Sequence, residues 1–195
     1  MVATIEHPIG ENQFLDAYTY LDLEVDLKGH IFSYGLLSPD ISLKAAPDQS
    51  DKIHRHLTAL GDSHGILCGH NFRRFDHAHL LRQWPELETL HIVDTLELSV
   101  LAFPLEPSQR LHKDYKLSDY ASNDPLEDAR ATRFLLETCL NVLAQHPPSL
   151  RQLYTWLLVR GDTHTEWAYQ TLFESLNWLP KSPPAITDLP QEALA

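Results

Sequence analysis

The segment from Tyr18 to Leu27 constrains the fold most, because its side chains alternate between two characters. One set of alternate positions is aromatic or acidic, and the other is mostly apolar. Side chains that repeat every second residue lie on the same face of a β-strand. The segment therefore predicts a strand on which Asp22 and Glu24 leave the same face. By itself this pattern fits either a solvated surface or a functional site.

Shorter patterns after this strand predict an α/β fold. Lys28-Gly29 is a turn signal, and Ile31–Leu37 and Ile41–Ala45 predict two returning strands. The expected fold is a mixed central sheet, formed by a three-strand antiparallel meander and later βα units, and flanked by helices. The later elements are expected at a helix 49–60, a strand 65–69, a helix 72–84, a strand and helix within 91–103, and helices 125–144, 149–159 and 163–177.

A composition shift at His146-Pro147-Pro148 divides the predicted organisation of the chain. With 195 residues, the chain is long enough for one domain with a real core. We expect the main domain over residues 14–146 and a helical appendage over 147–179. Residues 180–195 contain four prolines and are expected to form a loose tail.

Charge and apolar content limit the partners and the compartment. The net charge of −12 argues against a protein that grips nucleic acid over a wide surface, but it allows an enzyme that holds a few nucleotides. No basic region followed by an apolar run marks a signal peptide, and no apolar stretch reaches membrane-spanning length. Cys68 and Cys139 lie in apolar segments without metal-like spacing, which predicts reduced thiols in a cytoplasmic protein with no membrane partner.

Two further acids follow strong structural signals. Asp76 comes after Gly69, which ends a predicted strand, and Asn71 is placed to cap the next helix. Alone, Asp76 is more typical of a solvated acid on a helix than of a functional site. Asp128 is more informative, because it heads a helical row of small or apolar residues that faces the sheet. A buried acid costs several kcal/mol unless it is paired or bound to a metal.

The starting signals of this last helix are explained without Asp128. Asp124 is placed as the N-cap, Pro125 as the first helical residue, and Glu127 as the capping partner. Four acids brought into one pocket would repel strongly unless cations neutralised them. Mg²⁺ and Mn²⁺ prefer oxygen ligands, and a pair of such ions is suited to cutting a phosphodiester.

In order, these motifs resemble those of the DnaQ-like (DEDD) 3′–5′ exonucleases, which have an RNase H-like fold. The resemblance covers Tyr18 to Leu143 and includes the strand-ending Val93-Asp94-Thr95. It implies hydrolysis of single-stranded DNA or RNA from the 3′ end by a two-metal mechanism. It also implies that two Mg²⁺ or Mn²⁺ ions are held by the catalytic carboxylates Asp22, Glu24, Asp76 and Asp128. The terminal nucleotide would lie beside Leu23, Val25, Asn71 and Phe75.

A narrower resemblance involves the segment before the last helix. Lys113 to Leu117, followed by Asn123 to Asp128, is similar to exonuclease domains at the N-termini of some RecQ-like helicases. This likeness implies that a covalently linked or associated helicase is a partner and supplies part of the nucleic-acid affinity.

One position departs from the family pattern. The family has a general-base His five residues before the last Asp, or a Tyr four before it, and this chain has Asn123 and Asp124 there. A neutral Asn orients a water but does not take its proton, and the loss of a general base costs about 10²–10⁴-fold in rate. Three alternatives remain: a slow exonuclease, an enzyme with a substituted base such as His112, or a non-catalytic module that binds nucleic-acid ends or a protein.

Overall fold

A mixed five-stranded sheet is the centre of the structure, a computed structural model that describes residues 13–111, 124–160 and 163–179. Its strands are β1 (Thr19–Val25), β2 (Ile31–Leu37), β3 (Ser42–Ala45), β4 (Ile66–Gly69) and β5 (His91–Asp94). They lie in the order β3-β2-β1-β4-β5. The first three pair antiparallel, whereas β4 runs parallel to both β1 and β5. The predicted α/β class and the antiparallel meander are confirmed.

Helices cover both faces of this sheet. Their bounds are α1 (Ser50–Asp62), α2 (Asp76–Gln83), α3 (Thr95–Ala102), α4 (Pro125–Ala144), α5 (Pro148–Leu158) and α6 (Thr163–Ser175). The range of α4 agrees with the sequence prediction, and its N-cap is Asp124, whose Oδ1 accepts a hydrogen bond from Leu126 N at 3.0 Å. Among the described residues, no helix combines the length and the apolar character needed to cross a membrane.

The sheet separates two apolar cores. On one face, Tyr20 and Cys68 pack with α3, α4 and α6, and on the other, Leu21 and Leu67 pack with α1 and α2. Because β1 lies in the middle of the sheet, its two faces belong to different cores. Asp22 and Glu24 follow Tyr20 at intervals of two, and so they lie on the face that α4 covers.

The start of α2 differs from the sequence prediction. The helix begins at Asp76 rather than near Phe72, and its N-cap is Phe75, which makes no side-chain capping bond. Asn71 is therefore not the cap. It has a φ of 55°, in the left-handed region that Asn tolerates better than most residues, and it belongs to a turn between β4 and α2.

The C-terminal helices contribute to the first core. Ala168, Tyr169, Leu172 and Phe173 of α6 are buried in the same cluster as Tyr20 of β1. Tyr169 is 0% exposed, which places α6 directly against the sheet. The predicted Pro-rich tail, residues 180–195, lies outside the described residues.

Candidate metal centre

Three of the four predicted acids meet at one point. Asp22 and Glu24 leave β1 on the same face, and Asp128 approaches them from the first turn of α4. One carboxylate oxygen from each side chain lies within 4.8 Å of the other two, and all three residues are half-buried. Three carboxylates at this spacing repel one another in the absence of a cation. Asp22, Glu24 and Asp128 can therefore hold a metal ion.

A glycine on the neighbouring strand allows this meeting. Gly35 of β2 is the cross-strand partner of Asp22. A methyl group at Gly35 would lie 2.0 Å from the carbonyl carbon of Pro125 and 2.1 Å from its oxygen. Since no side chain fits there, the first turn of α4 rests directly on the backbone of β2, and Asp128 comes within reach of β1.

An ion pair at the sheet edge also fixes the start of α4. Lys44 Nζ of β3 donates to Asp124 Oδ2 at 2.9 Å. The side chain of Asp124 therefore serves two purposes, since its other oxygen caps the helix. Together with the close approach at Gly35, these contacts set the position from which Asp128 reaches β1.

Asp76 lies beside the group of three rather than within it. It is the first residue of α2, is only 4% exposed, and lines the same cleft. Burial raises its pKa to about 8, and the nearby charges of Asp94 and Glu24 act in the same direction. A hydrogen bond with the backbone of Leu23 opposes this shift. Without a cation, the protonated form of Asp76 is thus favoured near neutral pH.

A second buried aspartate holds the turn that leads to Asp76. Asp94, at the end of β5, accepts hydrogen bonds from Asn71 N at 2.8 Å, Arg73 N at 3.1 Å and Leu96 N at 3.0 Å. Burial raises the pKa of Asp94, whereas these backbone donors lower it. Because its oxygens accept from backbone N–H groups of the 71–75 turn, Asp94 connects β5 to that turn.

Asp94 also makes a hydrogen bond to α6. Tyr169 Oη lies 3.0 Å from the Asp94 carbonyl oxygen and 2.8 Å from Glu97 Oε2. Glu97 Oε1 in turn accepts from Arg73 Nη1 at 2.8 Å. A chain of hydrogen bonds therefore extends from α6, through α3, to the turn that positions Asp76.

The acids open into a cleft of about 460 Å³. Of the residues expected beside a terminal nucleotide, Leu23, Asn71 and Phe75 line it. Val25 is not among the lining residues, because its half-buried side chain packs against the core on the other face of the sheet. Asn123, expected at the general-base position, and His112, its possible substitute, lie outside the described residues.

Sequence reasoning missed several residues of the cleft wall. His70 lies at the end of β4, with its Nδ1 3.0 Å from Thr95 Oγ1, and burial lowers its pKa, which favours the neutral ring. Gln109, Arg110 and Leu111 come from the loop after α3. The sequence contains no periodic or motif signal for this loop, and its position depends on the tertiary fold.

The donor set suits a hard divalent cation. All of the candidate ligand atoms are carboxylate oxygens, which Mg²⁺ and Mn²⁺ prefer, and the group lacks the imidazole and thiolate ligands typical of zinc. The exposed Arg110 adds a positive group to the same cleft, suited to a phosphate. Comparison of the chain with models of protein families, with curated proteins and with solved structures finds no match. The function is therefore inferred from the geometry of the cleft.

Proposed function

We propose that this chain is a metal-dependent 3′–5′ exonuclease of the DnaQ-like (DEDD) type, with an RNase H-like fold, that hydrolyses single-stranded DNA or RNA. The observation that carries the proposal is the meeting of Asp22, Glu24 and Asp128 within 4.8 Å. A buried fourth acid, Asp76, lines the same cleft. A group of like charges in a concave site has no evident structural use, whereas it is well suited to cations that bind phosphate.

Each acid has a distinct part in this proposal. Asp22 and Glu24 provide ligands from a rigid central strand, and Asp128 closes the group from α4. Asp76 joins as a ligand when it loses its proton, which a nearby cation favours. Two divalent ions held by these acids would supply a water of lowered pKa and would stabilise the departing 3′ oxygen.

The rest of the cleft suits one nucleotide at the end of a strand. Its volume falls within the range of roughly 300–1,000 Å³ that is common for small-ligand pockets. Phe75 is 46% exposed at the cleft wall, so its ring is available to stack on a base. Arg110 is placed to contact a phosphate, and Asn71 offers amide groups for hydrogen bonding.

A non-catalytic module that binds nucleic-acid ends or a protein is the second candidate. The net charge of −12 and the Asn at position 123 favour it, because both weaken the case for an efficient nuclease. The two candidates differ in whether a strand is shortened, and a partner helicase is compatible with either.

Hydrolysis of a 5′-labelled single strand with Mg²⁺ or Mn²⁺ tests the proposal. The wild-type protein is expected to give a ladder of products shortened from the 3′ end, on DNA, RNA or both. Asp22→Asn is expected to abolish the ladder, because it removes a charged ligand and retains the side-chain shape. Asp62→Asn, which changes an exposed acid on α1 outside the cleft, is the matched control and is expected to cleave normally.

Thermal unfolding gives a readout that does not depend on turnover. Mn²⁺ is expected to raise the Tm of the wild type and of Asp62→Asn, and to have little effect on Asp22→Asn. A rise in Tm without any cleavage of DNA or RNA would reject the nuclease and favour the binding module. The absence of both effects would reject the metal centre itself.

A further inference from the structure

An exposed surface beside the cleft joins the β1–β2 turn to α2. We call it the hairpin–α2 surface, and it consists of Leu27, Lys28, Phe75, His79 and Arg82. Its first contact is at the cleft wall, where the rings of Phe75 and His79 meet edge to face with centroids 5.0 Å apart. The surface therefore begins at the cleft and leads away from the acids.

The second contact joins α2 to the turn. His79 Nδ1 donates to the Gly29 carbonyl oxygen at 3.1 Å. Arg82 Nη1 lies only 3.0 Å from the position that a methyl group at Gly29 would occupy. The guanidinium group thus lies next to the backbone of Gly29, which follows Lys28 in the turn.

The turn itself is well ordered by its own hydrogen bonds. Asp26 Oδ1 accepts from Lys28 N at 2.8 Å and from His30 N at 2.9 Å. Gly29 has a φ of 84°, a conformation that glycine adopts without strain. These hydrogen bonds therefore define the backbone positions of Leu27 and Lys28.

The two cations and the leucine of this surface take no part in the ion pairs or apolar cores that the structure describes. Lys28 and Arg82 are exposed, and neither forms an ion pair with any residue that the structure describes. Leu27 is 108% exposed, so it contributes nothing to the apolar cores. In a chain of net charge −12, two cations and an imidazole placed together provide local complementarity to an anion.

Apolar and cationic groups in alternation are typical of surfaces that bind single-stranded nucleic acid. Aromatic and apolar side chains contact bases, while Arg and Lys neutralise phosphates. We propose that the hairpin–α2 surface binds the nucleotides on the 5′ side of the terminal nucleotide. This inference rests on the proposed function, since it assigns the path of the strand that leaves the cleft at Phe75.

Strand-length dependence tests the proposal. The variants are Lys28→Gln, Arg82→Gln and their combination, and Arg160→Gln, in the turn after α5, is the matched control, because its guanidinium group stacks on Trp156 instead. Binding of a fluorescent single strand of roughly 20 nucleotides, longer than the footprint of one small domain, is followed by anisotropy with Ca²⁺ in place of Mg²⁺. Hydrolysis of the same strand and of a dinucleotide is measured separately with Mg²⁺.

Each lost phosphate contact is expected to raise the Kd for the long strand about fivefold at ~0.1 M salt, and to reduce the slope of log K against log salt by about 0.7. The double variant should therefore show about twice the change in slope. KM for the long strand should rise with kcat unchanged, and dinucleotide hydrolysis should stay at the wild-type rate. Arg160→Gln should behave as wild type in every assay.

Binding and hydrolysis separate the possible failures. Weaker, less salt-dependent binding by the variants, with no hydrolysis by any form, would support the strand path and reject the nuclease. Hydrolysis with equal long-strand Kd and salt slope for wild type and double variant would overturn the strand path and leave the nuclease standing. A long strand that does not bind to the folded wild type would overturn both.

Discussion

At the scale of single residues, two buried aspartates near the cleft differ in the contacts that their carboxylates make. Asp94 is 2% exposed and accepts three backbone hydrogen bonds, which stabilise its ionised form. Burial raises the pKa of both residues, and that of Asp76 reaches about 8. Asp94 is therefore suited to hold the 71–75 turn, whereas the ionised form of Asp76 would be stabilised by a neighbouring cation.

Replacement of Asp76 by Asn is expected to stabilise the metal-free protein. Because folding raises the pKa of Asp76 from 3.8 to about 8, the folded state keeps a proton that the unfolded state releases. The contribution of Asp76 to stability is thus complete below pH 3.8 and is lost as the pH rises toward 8. Asp76→Asn removes this loss, and we expect a gain in unfolding free energy of about 2 kcal/mol or more near pH 8.

Urea unfolding in the presence of a chelator measures this effect. The gain should be clearly smaller at about pH 5 than near pH 8, since each pH unit corresponds to about 1.4 kcal/mol at most. Asp94→Asn is the contrasting variant and should lose stability at both pH values, because an amide oxygen cannot accept all three backbone bonds. A loss of stability in Asp76→Asn near pH 8 would contradict the account of Asp76.

At the scale of elements, the approach of α4 to β2 is expected to be the most sensitive contact of the site. Gly35→Ala would place a methyl group 2.0 Å from the backbone of Pro125, so the helix must move. We expect a destabilisation of about 1–3 kcal/mol and a weaker Mn²⁺-induced rise in Tm, because Asp128 moves with the helix.

Gly61→Ala provides the control for this substitution. Gly61 lies in α1, where a methyl group would meet Leu90 at an ordinary 3.7 Å. Alanine favours helix over glycine by roughly 0.5–1 kcal/mol, so this variant should be slightly stabilised and should keep the full response to Mn²⁺. Equal metal responses in the two alanine variants would show that the position of α4 does not govern the site.

Local patterns predicted the elements better than they predicted how the elements meet. Alternation gave the strand with Asp22 and Glu24, and capping signals gave α4 with its correct bounds. The predicted start of α2 was wrong because the backbone N–H of Asn71 donates to Asp94. These two residues are distant in the sequence, and so no local pattern predicts their contact. The close contact of Gly35 with α4 was also not predicted, since that helix comes much later in the chain.

At the scale of the whole molecule, the C-terminal helices are expected to be required for folding. Tyr169, Leu172 and Phe173 are buried in the core that contains β1. A chain that ends at His146 would expose this apolar surface to water and lose the hydrogen bonds of Tyr169 to Glu97 and Asp94. We expect such a chain to lack a cooperative thermal transition in circular dichroism.

The comparison for this truncation is a chain that ends at Leu179, the last described residue, which should unfold at the Tm of the full chain. A cooperative transition in the chain that ends at His146 would instead establish residues 14–146 as an independent unit. In that case the helices over 147–179 would be an appendage, as the sequence predicts.

The meeting of β1 with the first turn of α4 also has a kinetic consequence. Asp22 and Asp128 are distant in the sequence, and they approach only when α4 has docked on the backbone at Gly35. In a partly folded chain without this docking, the three carboxylates are not assembled. A cation therefore does not stabilise such a chain. Divalent ions should therefore lengthen the lifetime of the folded protein by slowing its unfolding, while they leave the rate of folding almost unchanged.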